Sequence, residues 1–157
     1  MTRPSCRIGF GYDSHKIDSE KPLVIGGVTL PELPGLSGHS DADVLTHAVI
    51  DALLSAAGEK DIGELFPNTD PAFKNASSLD LLRRLPLPPC RFLQIDATLV
   101  TDLVRVSAIK AEIADNYRAI LGPRTQITIK GKSSEGLGFI GRGEGIAAFA
   151  VALLETL

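Results

Sequence analysis

Residues 39–58 read HSDADVLTHAVIDALLSAAG, and the fold is decided by how this stretch is read. Val44, Leu45, Ala48, Val49, Ala52 and Leu53 recur at three- and four-residue spacing, the apolar stripe of a helix lying on a core. Ser40 or Asp41 can accept the first free backbone N–H groups, and Gly58 supplies a stop.

Upstream, residues 6–12 (CRIGFGY) alternate as a strand would, weakened by two glycines. Leu23-Val24-Ile25 and Val28-Thr29-Leu30 flank Gly26-Gly27, a two-residue turn that predicts a hairpin. Residues 31–39 (PELPGLSGH), with two prolines and two glycines, read as a loop. Downstream, residues 61–75, holding Pro67 and Pro71, are also loop-like, and a second helix starts at Ser77 or Ser78 and stops at Pro86. Residues 91–100 predict a strand, 106–121 a third helix ended by Gly122-Pro123, and 125–130 another strand. The run Ile146–Leu154 reads equally as a helix, for its alanines, or as a tightly packed strand. Strands and helices without regular βαβ spacing predict an α+β fold. The expectation is a mixed β-sheet with helices packed on one side, in a single domain over residues 1–157.

Length and composition fit one ordinary globular domain: 157 residues, 44% apolar and 22% charged, which excludes a disordered chain. With 16 Lys and Arg against 19 Asp and Glu, the net charge of −3 offers no basic surface for nucleic acid. A phosphorylated ligand must then be met by local cations. No stretch approaches the ~18 apolar residues of a membrane span, and MTRPSCR at the N-terminus lacks the apolar segment of a secretory signal. Cys6 and Cys90 are far apart in sequence and belong to no Cys-x-x-Cys pair, as expected of two small buried thiols in a reducing compartment.

All three histidines lie between positions 15 and 47. Asp13 and His15 are two apart on a strand and share a face, while His47 is mid-helix with Asp43 and Asp51 one turn to either side. Asp13, His15 and His47 make a two-histidine, one-carboxylate set, the ligand count of a zinc site with an open position. Asp51 or Asp43 is placed to hold the His47 ring from behind. His39-Ser40 precedes the helix N-terminus, where free N–H groups suit a phosphate. In the glycine-rich stretch 130–144 (KGKSSEGLGFIGRGE), Gly131 permits close approach of a ligand, Ser133 and Ser134 can donate, and Glu135 is a hard oxygen ligand for Mg²⁺. This stretch lacks the spacing of a phosphate-binding P-loop.

RIGFGYDSH (7–15), IGG (25–27), HSDADVLTHAVIDALLSAAG (39–58), DIGELFPNTDPAFKNASS (61–78) and SSEGLGFIGRGEGIA (133–147) together resemble the 2-C-methyl-D-erythritol 2,4-cyclodiphosphate synthase family of the non-mevalonate isoprenoid pathway. They span most of the chain in the family's order. The resemblance implies Zn²⁺ on Asp13, His15 and His47, and a second ion, Mg²⁺ or Mn²⁺, held partly by Glu135. It implies a CDP-linked substrate whose 2-phosphate attacks the β-phosphorus, releasing CMP. His39 and Ser133 are then the residues that stabilise the transition state, and Ser40 contacts the 2-phosphate end. Asp61, Ile62 and Gly63, with Phe66, Pro67, Asn68, Thr69 and Asp70, line the methylerythritol pocket. Ser14, Arg105, Lys132 and Ser134 complete the substrate contacts.

The resemblance further implies a homotrimer with active sites between subunits, the zinc from one chain and the cytidine pocket from segments 101–107 and 131–135 of its neighbour. An apolar channel on the threefold axis, lined by Tyr12 and Phe139 with Arg142 at its mouth, would hold an isoprenoid diphosphate. No nucleic acid and no membrane is expected as a partner. The expected location is the bacterial cytoplasm, or the plastid stroma if a transit peptide has been removed.

The chain departs from the family at four places. Leu103-Val104-Arg105-Val106 replaces an Ala-Pro-Lys-hydrophobic run, Asn68 replaces a carboxylate, and Lys132 replaces a small hydroxyl residue. Segment 85–91 is shorter by about one helical turn. A zinc phosphohydrolase and a non-catalytic binder of isoprenoid diphosphates are the competing readings. The cyclase is distinguished from them by CMP release with ring closure.

Overall fold

In the computed structural model, which describes residues 5–157, five strands form one sheet. They are β1 (Cys6–Ile25), β2 (Val28–Leu36), β3 (Cys90–Val100), β4 (Gln126–Lys132) and β5 (Gly145–Thr156). The helices are α1 (Val44–Ala57), α2 (Ile62–Leu65), α3 (Ser78–Arg83), α4 (Lys110–Leu121) and α5 (Gly138–Gly141), with 3₁₀ turns at 71–73 and 106–108. The N-terminal residues Met1–Pro4, part of the stretch read as lacking a secretory signal, lie outside the described residues.

The sheet order is β2-β1-β5-β3-β4. Only β3 and β4 run parallel; the other pairs are antiparallel, so the sheet is mixed as expected. The strand read over residues 6–12 continues without a break to Ile25. Residues 6–16 pair with β5, and from Ile17 onward the same strand pairs with β2 around the Gly26-Gly27 turn. Segment 31–39, expected as a loop, is strand as far as Leu36. Its prolines are tolerated because β2 is the sheet edge, where a missing N–H leaves no neighbour unpaired.

The ambiguous run 146–154 is strand, at the middle of the sheet between β1 and β3. Its alanines serve close packing. Ala148, Ala150 and Ala152 face inward, fully or almost fully buried against the core. On the neighbouring strand Gly9 and Gly11 do the same job: a Cβ on either would stand 2.0 or 1.9 Å from the carbonyl oxygen of Ala52 or Ala48. The backbone of α1 therefore rests directly on β1. Helices α1 and α4 lie on this inner face, with α3 packed against both, around a core that includes Leu45, Leu53, Ile95, Leu99 and Tyr117. The opposite face carries Ile8, Phe10, Tyr12, Phe149 and Val151, all exposed, with Ile8 at 72% and Phe10 at 58%.

The cap of α1 is Asp43, not Ser40 or Asp41. Asp43 is fully buried and accepts from the backbone N–H of Gly26, Gly27 and Thr46 and from the Thr46 hydroxyl, at 2.7–3.0 Å. The Thr46 oxygen accepts in turn from the buried Tyr117 hydroxyl at 3.0 Å. One carboxylate thus ties the hairpin turn to the helix start, and Thr46 extends the tie to α4. Burial, with Asp41 nearby, pushes the Asp43 carboxyl up against the pull of those donors. The third helix starts four residues later than expected, because 106–108 is a 3₁₀ turn.

Candidate active site

Asp13 and His15 alternate with outward-facing residues on β1, on the strand face that holds Gly9 and Gly11. Because that face lies against α1, the strand and the helix bring Asp13, His15 and His47 together. His15 Nε2 lies 2.9 Å from Asp13 Oδ2 and 3.0 Å from His47 Nδ1, and His47 Nδ1 lies 3.1 Å from Asp13 Oδ2. Ligand atoms around a tetrahedral zinc, each at 2.0–2.1 Å, stand about 3.3 Å from one another. These three atoms already have nearly that spacing. Two imidazoles and a carboxylate suit zinc, and theirs is the only metal-competent cluster among the described residues.

The electrostatics of the triad agree with its geometry. Burial alone would raise the Asp13 carboxyl, but hydrogen bonds and charge from His15 and His47 hold it well below the usual carboxylate range. Burial alone would lower His47, but Asp13, with Asp43 and Asp41 adding charge, raises it. The site is thus built to hold positive charge.

Neither Asp43 nor Asp51 supports the His47 ring. Asp43 is committed to the cap, and Asp51 accepts from the Ile62 backbone N–H at 2.8 Å, fixing the start of α2. Burial pushes the Asp51 carboxyl up. The ring is held instead by Ser78 Oγ, 2.9 Å from His47 Nε2, with Ser40 Oγ at 3.2 Å.

The triad forms the floor of a cavity of about 340 Å³, lined also by His39, Ser40, Ile62, Gly63, Phe66 and Asn68. Ser37, Gly38, Phe73 and Leu81 line it too and carry no signal in the sequence. Asp61 instead caps α2 through Glu64, and the Asp70 side chain caps the 71–73 turn. The His39 ring donates to the Asp70 carbonyl at 3.1 Å, and Asn75 N–H to the His39 carbonyl at 2.8 Å, which pins the 37–41 segment against the 70–76 loop. Pro67 and Thr69 flank the cavity on the same loop without lining it.

Arg105, Lys132 and Ser133 lie elsewhere, in a second cavity of about 670 Å³ between segments 101–107 and 129–133, together with Lys110. Parallel pairing of β3 with β4 sets Val100 beside Lys132 and so aligns the segments that follow both strands. Asp102 ties them together. It accepts from the Ser133 hydroxyl at 2.7 Å and from the Ser134 N–H and hydroxyl at 3.0 and 2.5 Å. Those bonds hold its carboxyl below the usual range. Sequence reasoning missed Asp102, because only the strand pairing shows what it faces. Glu135 follows, exposed, its N–H donating to Ser133 Oγ at 2.9 Å, and it belongs to no three-ligand group. Within one chain, Ser133 and Glu135 do not join the triad.

Ser14, Lys16, Phe139 and Glu144 border a third cavity, of about 430 Å³, on the far side of His15. Arg142 beside it forms a forked pair with Glu144 at 2.9 and 3.2 Å, and Tyr12 packs on Phe149 with ring centres 5.1 Å apart.

The YgbB family model matches residues 6–155. The chain is 51% identical over 154 residues to the 2-C-methyl-D-erythritol 2,4-cyclodiphosphate synthase of Enterococcus faecalis, covering 95% of this chain and 98% of that one. It is 49% identical to the synthase of Symbiobacterium thermophilum, covering 94% and 97%. Its fold superposes on the bifunctional IspDF of Campylobacter jejuni with a TM-score of 0.92 and 35% identity, covering 99% of this chain and 43% of that one. The CDP complex of IspF from Plasmodium falciparum gives a TM-score of 0.80 at 33% identity, covering 98% and 97%.

Proposed function

The chain belongs to the YgbB family, that of the 2-C-methyl-D-erythritol 2,4-cyclodiphosphate synthases, and on that footing we propose how its own residues carry out the reaction. The reaction converts 4-diphosphocytidyl-2-C-methyl-D-erythritol 2-phosphate to the 2,4-cyclodiphosphate and CMP, in the non-mevalonate isoprenoid pathway. An oxygen of the 2-phosphate bonds to the β-phosphorus. The bond from that phosphorus to the oxygen bridging it to the α-phosphorus breaks, and CMP departs with that oxygen. The task is to bend one anion onto another and spread the charge that develops.

Asp13, His15 and His47 would hold Zn²⁺, and Glu135, with phosphate oxygens, would hold Mg²⁺ or Mn²⁺; when bound, these ions neutralise and orient the phosphates. The observation that carries this reading is the convergence of His15 Nε2, His47 Nδ1 and Asp13 Oδ2 at 2.9–3.1 Å on the floor of a cavity. Ser40 Oγ and the His39 ring, which line the cavity, would donate to the 2-phosphate and to the developing charge. Ile62, Gly63, Phe66 and Asn68 enclose the methylerythritol carbons, and Asp61, Pro67, Thr69 and Asp70 fix that loop. Ser133 and Ser134, on the Asp102 tie, would donate to the diphosphate, and Arg105 and Lys132 supply the cations the acidic chain otherwise lacks. The larger cavity between 101–107 and 129–133 would take the cytidine.

The two half-sites are joined in a homotrimer, each zinc triad meeting the 101–107 and 131–135 segments of a neighbour. The support is the exposed apolar sheet face of Ile8, Phe10, Tyr12, Phe149 and Val151, a patch that a lone chain would leave in water. On the threefold axis, Phe139 and Arg142 would receive an isoprenoid diphosphate once Glu144 releases the guanidinium. Residues 1–157 act as one domain. The cytoplasm is the matching location, the relatives named above from Enterococcus and Symbiobacterium being bacterial enzymes.

The test is phosphorus NMR of the purified protein with Zn²⁺, Mg²⁺ and the CDP-linked substrate. The reading predicts stoichiometric cyclodiphosphate and CMP, abolished by a chelator. Linear product with free phosphate, or turnover indifferent to chelation, would refute it.

A further inference from the structure

We infer that Asp41 and Ser78 fix the tautomer of His47 and keep its Nδ1 free for a cation, which makes them positioning residues of the site. Ser78 is fully buried at the start of α3, and its Oγ lies 2.9 Å from His47 Nε2. The same hydroxyl contacts Asp41 Oδ1, while the Ser78 backbone N–H donates to Asp41 Oδ2 at 2.9 Å. An ionised carboxylate can only accept, so the single hydroxyl proton of Ser78 points at Asp41. The serine oxygen must then accept from His47, and Nε2 carries the ring proton. A charged ring would donate from both nitrogens, to Ser78 and to Asp13 Oδ2; a neutral one has a single proton. Because His15 Nε2 lies within hydrogen-bond distance of both Asp13 Oδ2, at 2.9 Å, and His47 Nδ1, at 3.0 Å, it can donate there while the His47 proton stays on Nε2 toward Ser78, leaving Nδ1 bare. Carboxylates commonly orient metal-binding histidines by direct contact; here a serine is interposed.

Ser40 Oγ also lies within reach of His47 Nε2, at 3.2 Å, and accepts the Ala42 N–H at 3.3 Å. It lines the cavity, whereas Ser78 does not. The two hydroxyls therefore divide the work: Ser40 can turn to substrate while the buried Ser78 keeps hold of the ring. This inference rests on the reading of the triad as a metal centre, and its test separates the two.

The test uses the full chain with ¹⁵N-labelled histidine, metal-free, at a pH where His47 is neutral. Imidazole NMR should show the Nε2–H form for His47. Asp41→Asn keeps an acceptor for the Ser78 N–H but can donate to the serine oxygen, turning the hydroxyl toward His47, so it should shift His47 to the Nδ1–H form. Zn²⁺ titrated against a competing chelator should bind Asp41→Asn and Ser78→Ala about 10–100-fold more weakly than wild type, with Ser40→Ala unchanged. Asp41→Asn carries the test if Ser78→Ala fails to fold. An Nδ1–H form in the wild type, unchanged zinc affinity in Asp41→Asn, or equal weakening by Ser40→Ala would overturn the inference. A wild type that shows Nε2–H yet takes up no zinc would refute the metal centre and leave the relay standing.

Discussion

Gly11 meets the carbonyl oxygen of Ala48 so closely that a Cβ at position 11 would stand 1.9 Å from it. Ala48 adjoins His47 on α1, and Gly11 lies two residues before Asp13 on the same strand face. This backbone contact sets the distance between the strand ligands and the helix ligand. Gly11→Ala should push α1 off the sheet, costing about 1–3 kcal/mol of stability and weakening zinc uptake together. Urea unfolding and chelator competition measure the two effects. A stable variant with wild-type zinc affinity would show that the contact does not set the site.

The shifted groups of the triad fix a pH dependence. The Asp13 carboxyl is depressed, so its contribution is present above the unfolded value of about 3.9 and is lost as pH falls through the folded value. His47 is raised above 6.5, so its contribution is full below 6.5 and is lost as pH rises through the folded value. In the metal-free protein, the stability difference between wild type and Asp13→Asn should be greater at about pH 5.5 than at pH 9. Zinc held at the proposed site would compete with the proton on His47, so zinc affinity should rise over the same alkaline limb. Unfolding midpoints and zinc titrations across pH check both limbs; flat profiles would contradict the pairing.

Much of the site was legible in the sequence, and the limits have physical causes. Strand periodicity put Asp13 and His15 on one face and helix periodicity put His47 on another, but only the resemblance to a known family implied that the two faces meet in one site. The glycines at 9 and 11, which weaken the strand reading locally, are what permit the helix to approach, and this is visible only once the two backbones are packed. Asp43 and Asp51 share the helix face of His47 in sequence, yet each is engaged by backbone N–H groups from another segment. Asp102 gave no signal and Ser78 only that of a helix start, because their partners in the site arrive through parallel strand pairing and through packing of α3 against the start of α1. Pro31 and Pro34 argued for a loop because the sequence does not say which strand is the sheet edge.

Asp102 positions the serines of the larger cavity through three hydrogen bonds. Asp102→Ala should weaken CMP binding about tenfold, the loss of roughly one charge-assisted hydrogen bond, while zinc binding is unchanged. Calorimetry with CMP and with Zn²⁺ separates the two. Equal loss of both would mean that the variant is misfolded, and no loss of either would remove Asp102 from the site.

Phe10 stands at the centre of the exposed apolar sheet face, beside Val151 and Phe149. If this face makes the proposed trimer, Phe10→Asp should yield monomers in light scattering where wild type gives trimers, with far-UV circular dichroism preserved and turnover lost. A trimer of unaltered mass would place the subunit interface elsewhere.

Complementation between two inactive variants bears on the division of the active site. On the proposed division, His47→Ala should disable the metal-binding half and Ser133→Ala the nucleotide half. Unfolded together at equal amounts and reassembled, the two variants should regain about one quarter of wild-type CMP release, because a quarter of random subunit contacts pair two intact halves. Recovery near that level would establish a site shared between chains. Mixed assemblies as inactive as either parent would contradict it.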